Sequence, residues 1–372
     1  MKERINLLKL EGKSSFEMGY EQGNTYQTEI KQMYDDLTNS EDFLALKPLL
    51  IPKFLFIKLV NSMSSKKVSD AIKEHLPSQW KFLKGIRKGA NIKTKELLFL
   101  QALDALGTQI QDYKLGDVNL TYGKCSAVGI TGEHSSTGKP LIIKNWDGPE
   151  TLGKYIFFRH IIPEENNKYS TLSSGVSGLA GINNGMNEKG LSIVYNYAYP
   201  KDIGESGIPA MFLIREALER CKTVSETVEL FTSYPRIGGA NIMIGDQDGR
   251  LAVIEMGPKN LKIRNSTKET RDYLICTNHY LTTEMELNEI PRNAIYDKNA
   301  PSYLQNEPIY KSSLLRYQAA SSILETEIYD KVDLNFLNTK IQQNHGPNNK
   351  PSKNTFCNHG PHISTGFGVM LD

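Results

Sequence analysis

The sequence predicts an α+β layered fold: a helical first third, then an antiparallel sheet system with further helices inserted. Three observations predict it. Residues 14–108 carry helical spacing and few strand-like runs. From about residue 124 the pattern turns to short alternating runs bounded by turn formers. These runs follow one another through hairpin signals rather than through intervening helices, which argues against an alternating βαβ chain.

The elements are justified in chain order. Phe16, Met18, Gly19 and Tyr20 open the first helical pattern, and Leu97, Leu98, Leu100 and Leu103 belong to a short helix before Gly107. CSAVGI (125–130) and PLIIKNW (140–146) are β-type runs joined by the turn-rich EHSSTGK, a hairpin signal. GLSIVYNY (190–197) alternates again. Residues 208–232 carry Met211, Leu213, Ile214, Ala217 and Leu218 at helical spacing. Thr223 and Glu226 have capping-box spacing, so one helix should end near Cys221 and another start at Thr223. NIMIGD (241–246) and RLAVIEM (250–256) flank Gln247-Asp248-Gly249, and Asp-Gly is a strong hairpin turn. Leu314, Leu315, Tyr317, Ala320, Ile323 and Leu324 mark a helix over 311–326, and ISTGFGVMLD closes the chain as a strand.

Composition excludes several classes. The chain has 372 residues, 39% hydrophobic and 23% charged, enough to bury a sizeable core. Forty-four basic residues against 42 acidic ones leave a net charge of +2, which argues against a dedicated nucleic-acid binder. No run approaches the roughly 18–20 apolar residues of a membrane span; the most apolar, Leu49 to Val60, is broken by Pro52, Lys53 and Lys58. The opening MKERINLLKLEGKSS lacks an apolar core, so no secretory signal is expected and the cytoplasm is the default. Nucleotide-binding glycine motifs and HExxH are absent.

Four cysteines in a chain this long are not a disulfide framework, so reduced thiols are expected. Cys221 ends an apolar helix and Cys276 lies in the apolar run YLICTNHY; both read as packed thiols. Cys357 stands near His345, His359 and His362, which opens a metal reading, although the spacings match none of the usual zinc pairs. Cys125 differs. It begins the first strand after the helical third and is followed by a small residue. The paired strand ends in Lys144-Asn145-Trp146-Asp147. A lysine beside a thiol favours the thiolate, and a carboxylate can orient a nucleophile's proton partner. Strict alternation puts Lys144 and Asp147 on opposite faces, so both reach one site only if the strand bends near Trp146 and Asp147, before Gly148-Pro149.

The run CSAVGITGEHSSTGKPLIIKNWD resembles the start of the catalytic chain in the acyl-coenzyme A:6-aminopenicillanic acid acyltransferase family. These are cysteine N-terminal-nucleophile (Ntn) hydrolases, related to choloylglycine hydrolase and penicillin V acylase. LEGKSSFEMGYEQG, GINNGMNEKGLSIVYN, GGANIMIGDQDGRLAVIEMGP, TNHYL, SSLLRY and the closing NTFCNHG…GFGVMLD fall in the family's order, so the resemblance covers nearly the whole chain.

The resemblance implies a four-layer αββα sandwich. It divides the chain into a helical segment, 1–124, and a catalytic segment, 125–372, that together form one compact unit. It implies autocatalytic cleavage between Lys124 and Cys125, where the family's penicillin acyltransferases cut at Gly-Cys. The freed α-amine of Cys125 would serve as general base, its ordinary pKa of about 8 suiting that task. Asp147 matches an aspartate that contacts this amine, and Lys144 stands where relatives carry an arginine. Asn196 matches an asparagine of oxyanion or amide recognition, Asn241 is the candidate second oxyanion donor, and Arg316 matches an arginine bracing the nucleophile. The expected activity is amide hydrolysis or acyl transfer on a small acyl amide or acyl-CoA through a Cys125 thioester, with no metal or organic cofactor. The expected assembly is a heterodimer of the self-cleaved chains, with homo-oligomers open. Two rivals stay open: a metal-binding protein built on Cys357 and its histidines, and an unprocessed binding protein.

Overall fold

The computed structural model describes residues 6–103, 124–132, 134–148, 150–165, 167–266, 272–296, 302–327, 331–346, 349–350, 352–360 and 364–371. The predicted leucine helix appears as Thr94–Gln101; Gly107, beyond it, lies outside the described residues.

The N-terminal segment opens with a strand, β1 (Leu7–Glu11), and continues as helices α1 (Ser15–Thr25), α2 (Gln27–Asn39), α3 (Glu41–Ala45), α4 (Lys53–His75), α5 (Pro77–Ala90) and α6 (Thr94–Gln101). α1 starts at Ser14 because of a capping box: the Glu17 amide donates to Ser14 Oγ, and the Ser14 amide donates to the Glu17 carboxylate at 3.0 Å. α1 and α5 cross in near backbone contact. A Cβ on Gly19, Gly23, Gly85 or Gly89 would meet a backbone oxygen of the facing helix within 2.0–2.4 Å, so only glycine permits this approach. No described helix is long and apolar enough to cross a membrane.

The remaining strands are β2 (Lys124–Ile130), β3 (Leu141–Gly148), β4 (Ile156–Ile162), β5 (Thr171–Val176), β6 (Asn184–Asn187), β7 (Ser192–Tyr197), β8 (Ile208–Pro209), β9 (Arg236–Ile237), β10 (Ala240–Gly245), β11 (Leu251–Met256), β12 (Leu261–Asn265), β13 (Tyr273–Cys276) and β14 (Ser364–Leu371). They form an eight-stranded sheet, β1-β4-β5-β6-β7-β10-β11-β12, and a four-stranded one, β13-β2-β3-β14; β8 and β9 pair separately. Both larger sheets are antiparallel except that β1 joins β4 in parallel. The helices after the first segment are α7 (Glu150–Gly153), α8 (Ala210–Arg220), α9 (Val224–Ser233), α10 (Thr283–Glu286), α11 (Lys311–Glu327) and α12 (Leu334–Phe336), the last continuing as a π-helix over Leu337–Gln342.

Three cores show the layering. Between the sheets lie Ala127, Ile142, Val369 and Leu371 of the small sheet against Val194, Met243, Leu251 and Val253 of the large one. The outer face of the small sheet, with Val128, Ile130, Leu141 and Ile143, packs on Ala320 and Leu324 of α11 and on Leu337 and Ile341. The outer face of the large sheet, with Ile193, Ile242, Ile244 and Ile254, shares one core with α8 and the N-terminal helices. This is the four-layer αββα sandwich expected above. The N-terminal segment is bound by polar ties as well: Gln22 donates to the Ser177 and Leu179 carbonyls, and Arg159 donates to Gln22 Oε1 at 2.9 Å.

The break between α8 and α9 falls where expected, with a refinement. Thr223 Oγ1 accepts from the Glu226 amide at 3.2 Å, but the Glu226 carboxylate reaches back to Lys222 N, one residue before the cap.

Candidate active site

Cys125 is the second residue of β2, paired with Trp146 on one side of a hairpin that runs unbroken to Gly148. It shares its face with Ala127, which looks into the inter-sheet core. Its backbone is gripped at both ends. The Cys125 amide donates to Asn278 Oδ1 at 3.0 Å, and its carbonyl accepts from Arg316 Nη1 at 2.5 Å.

Arg316 comes from α11, across the outer face of the small sheet, and is fully buried. Its guanidinium also donates to Ser126 Oγ, to Asn278 Oδ1 at 2.8 Å and, through Nε, to Ser312 Oγ at 3.2 Å. A planar fork serves these partners from one position, which a lysine could not do.

Asn278 is the residue that sequence reading passes over. It follows β13, which pairs with β2, and accepts from both Cys125 and Arg316. Its own amide donates to the Tyr197 carbonyl, and its backbone N–H donates to Ser313 Oγ, both at 2.8 Å. The available signal was three polar residues, Thr277-Asn278-His279, directly after an apolar strand. All three are buried, which polar side chains accept only with assigned partners.

Asp147 faces Lys124 across the hairpin and is fully buried on the side opposite Cys125. Thr365 Oγ1 donates to it at 2.8 Å and Asn358 Nδ2 at 3.4 Å. Burial pushes its carboxyl upward, while Arg316 and Lys124 oppose that shift. Burial, helped by the Arg316 charge, pushes the Lys124 amine down to about 8.

Two sequence expectations change. First, the β2–β3 register runs without a shift to Asp147, so alternation holds and the cation and carboxylate are separated. Lys144 points between the sheets, where Nζ donates to Asn184 Oδ1 at 2.8 Å and to the Tyr195 carbonyl; Asp147 points to the outer side. Second, Asn196 and Asn241 are not arranged as oxyanion donors. They stand opposite one another on β7 and β10. Asn196 donates to the Cys276 carbonyl at 2.8 Å, and Asn241 to those of Thr277 and His279 at 3.2 and 2.9 Å. The facing groups are all carbonyls, which fixes the amide orientation. Each side chain leaves its Oδ1 buried without a partner, and that is an acceptor, the opposite of what an oxyanion needs. They clamp the segment that carries Asn278.

Burial pushes the Cys221 and Cys276 thiols up to about 12, so both are held protonated, as packed thiols should be. Cys357, His345 and His359 do converge; His362 lies outside the described residues. A small recess of about 30 Å³ beside Lys124 is lined by Tyr296, Leu304, Pro308 and Lys353, among others. A larger cavity of about 390 Å³ lies among the N-terminal helices, lined by Phe16, Trp80 and Leu97.

A four-layer sandwich with a buried cysteine leading an inner strand is the class anticipated for an Ntn-type acyl-transfer enzyme. The model of the acyl-coenzyme A:6-aminopenicillanic acid acyl-transferase family matches residues 134–330, more than half of the chain, and the chain belongs to that family. The match includes Lys144, Asp147, Asn196, Asn241, Asn278 and Arg316 and begins downstream of Cys125. Among solved structures, an N-acylethanolamine-hydrolyzing acid amidase ortholog from Caenorhabditis elegans is 17% identical, with a TM-score of 0.33, over 42% of this chain and 71% of that one. A mutant of the conjugated bile acid hydrolase from Clostridium perfringens is 19% identical, with a TM-score of 0.33, over 56% and 75%. Penicillin V acylase from Agrobacterium tumefaciens is 17% identical, with a TM-score of 0.29, over 44% and 55%.

Proposed function

We propose that this protein is a self-processing cysteine amidohydrolase or acyltransferase for a small N-acyl amide or acyl thioester, with Cys125 as nucleophile. One observation carries the reading: the backbone of Cys125 is held at both ends, by Asn278 at the amide and Arg316 at the carbonyl, deep in the fold. An ordinary strand residue needs no such grip from two distant side chains.

In the processing step Cys125 Sγ attacks the Lys124 carbonyl carbon. The C–N bond breaks, the thiol proton passes to the departing α-nitrogen, and a thioester joins the two pieces. Water then cleaves the thioester, restoring the thiol and leaving Lys124 with a carboxylate. In turnover the freed α-amine takes the thiol proton, Sγ attacks the acyl carbonyl, and the amine returns the proton to the leaving group. Water or an acceptor amine completes the cycle through the same thioester. Asn278 Oδ1 accepts one amine N–H and so aims the lone pair. The Arg316 charge disfavours an ammonium there, which favours the base form of the amine.

Asn278→Ala tests the positioning role. It strips the acceptor from a buried N–H and from a guanidinium, a loss on the order of 1–3 kcal/mol in stability. The acid limb of the kcat/KM profile is expected to move along with a fall in kcat. A fall in kcat with an unchanged profile would mean that Asn278 does not touch the amine.

Lys124 gives a pH signature of the uncut chain. Its amine is near 10.5 when unfolded and about 8 when folded, so its charged form opposes folding. The penalty is full below pH 8 and vanishes as pH rises through about 10.5. In an uncleavable Cys125→Ala background, Lys124→Met is therefore expected to raise the melting temperature at pH 7. The gain should fade between about pH 8 and 10.5 in a thermal-melt series.

A further inference from the structure

His345 follows the π-helix, while Cys357 and His359 sit on the loop leading to β14; their ligand atoms all lie within 4.8 Å of one another. The two Nε2 atoms are 3.1 Å apart, and Cys357 Sγ is 3.3 Å from His359 Nε2. Tetrahedral zinc, with Zn–N of about 2.05 Å and Zn–S of about 2.3 Å, places N···N edges near about 3.3 Å and N···S edges near about 3.6 Å. The two separations from His359 are within about 0.3 Å of those edges, and the third, His345 to Cys357, lies within 4.8 Å.

The orientation fits as well. His345 Nδ1 lies 3.3 Å from Asn349 Oδ1, an atom that only accepts. A proton on Nδ1 satisfies that contact and leaves the Nε2 lone pair for an ion. An outer acceptor that fixes the tautomer in this way is the usual support of a metal-ligating histidine. The two ligand segments are tied before any ion arrives: Cys357 N donates to the Asn344 carbonyl and His359 N to the Ser352 carbonyl, each at 2.9 Å.

We infer that His345, Cys357 and His359 form a structural site for a borderline-soft divalent cation of the zinc class, separate from Cys125. A N₂S donor set favours such an ion over magnesium or calcium, which take oxygen ligands. The fourth position belongs to water or a further ligand. The site pins a segment that matters to the hairpin, because Asn358, between the two loop ligands, is the buried donor to Asp147. A zinc ion here would lock the loop that closes over Asp147, and the inference stands whether or not Cys125 is the nucleophile.

The test is equilibrium dialysis of the full chain against zinc, read by elemental analysis, with cobalt as a spectroscopic probe. One zinc per chain is expected, together with a thiolate-to-cobalt charge-transfer band. Cys357→Ser and His359→Ala should each weaken zinc binding by at least about 100-fold, while His75→Ala, remote from the cluster, should leave it unchanged. Zinc should also slow amide hydrogen exchange over 352–360. These are partly exposed side chains, and thermal melting of each variant confirms that it is folded. Absence of bound zinc after dialysis, or binding that survives both ligand substitutions, overturns the proposal.

Discussion

Replacing Cys125 with alanine is expected to leave the chain at full length and to reduce acyl turnover to background, a fall on the order of 10⁴–10⁶. Cys221 and Cys276 cannot take over, because burial holds both thiols protonated. Cys125→Ser keeps an oxygen nucleophile at the same place, so slow processing is compatible with the account. The check is a single-turnover assay with an acyl donor, followed by mass measurement of the protein. Wild type should carry the acyl group on Cys125, and the alanine variant should carry none. Turnover by the alanine variant at more than a hundredth of the wild-type rate would place the nucleophile elsewhere.

The second large effect is at Arg316. Methionine there removes donors to the Cys125 carbonyl, Ser126, Asn278 and Ser312 at one stroke. It also leaves Asp147 buried with Lys124 and the hydrogen bonds from Thr365 and Asn358, but without the Arg316 charge, to oppose its desolvation. Breaking a buried charge arrangement by removing one partner costs about 3–5 kcal/mol. Urea unfolding in the Cys125→Ala background should show that loss at pH 7. The sign follows from Asp147: its folded pKa is already raised by burial and rises further without Arg316. The electrostatic share of the deficit is thus present at neutral pH and shrinks as pH falls toward the unfolded carboxyl value of about 4. Arg316→Lys should recover that share but not the fork-shaped contacts, leaving kcat low. A lysine variant with full activity would reduce Arg316 to a point charge.

How far the sequence could be read follows from where the information lies. The β2–β3 hairpin, the Asp-Gly hairpin of β10–β11 and the break after Arg220 are local, and spacing and turn chemistry reveal them. β1 escapes because LLKLE is five residues long, alternates in burial and pairs with a strand some 150 positions away. Alternation correctly separates Lys144 from Asp147, because the β2–β3 register holds through Asp147 and the two side chains find partners on opposite sides of the sheet. Asn196, Asn241 and Asn278 look alike in sequence. Their different tasks appear only when β13 is laid beside β2 and the polar triplet after it meets α11. Cys357 and its histidines stand near enough in sequence to open a metal reading, but their spacing matches no familiar motif, and the fold is what brings His345, Cys357 and His359 together.

The most direct test of the central claim is the intact mass and N-terminal sequence of the purified wild-type chain after incubation at neutral pH. The account predicts two tightly associated pieces of 124 and 248 residues, the larger beginning with Cys125 and bearing a free α-amine. A chain that stays at 372 residues while turning over acyl amides, or one that splits at another bond, would contradict it.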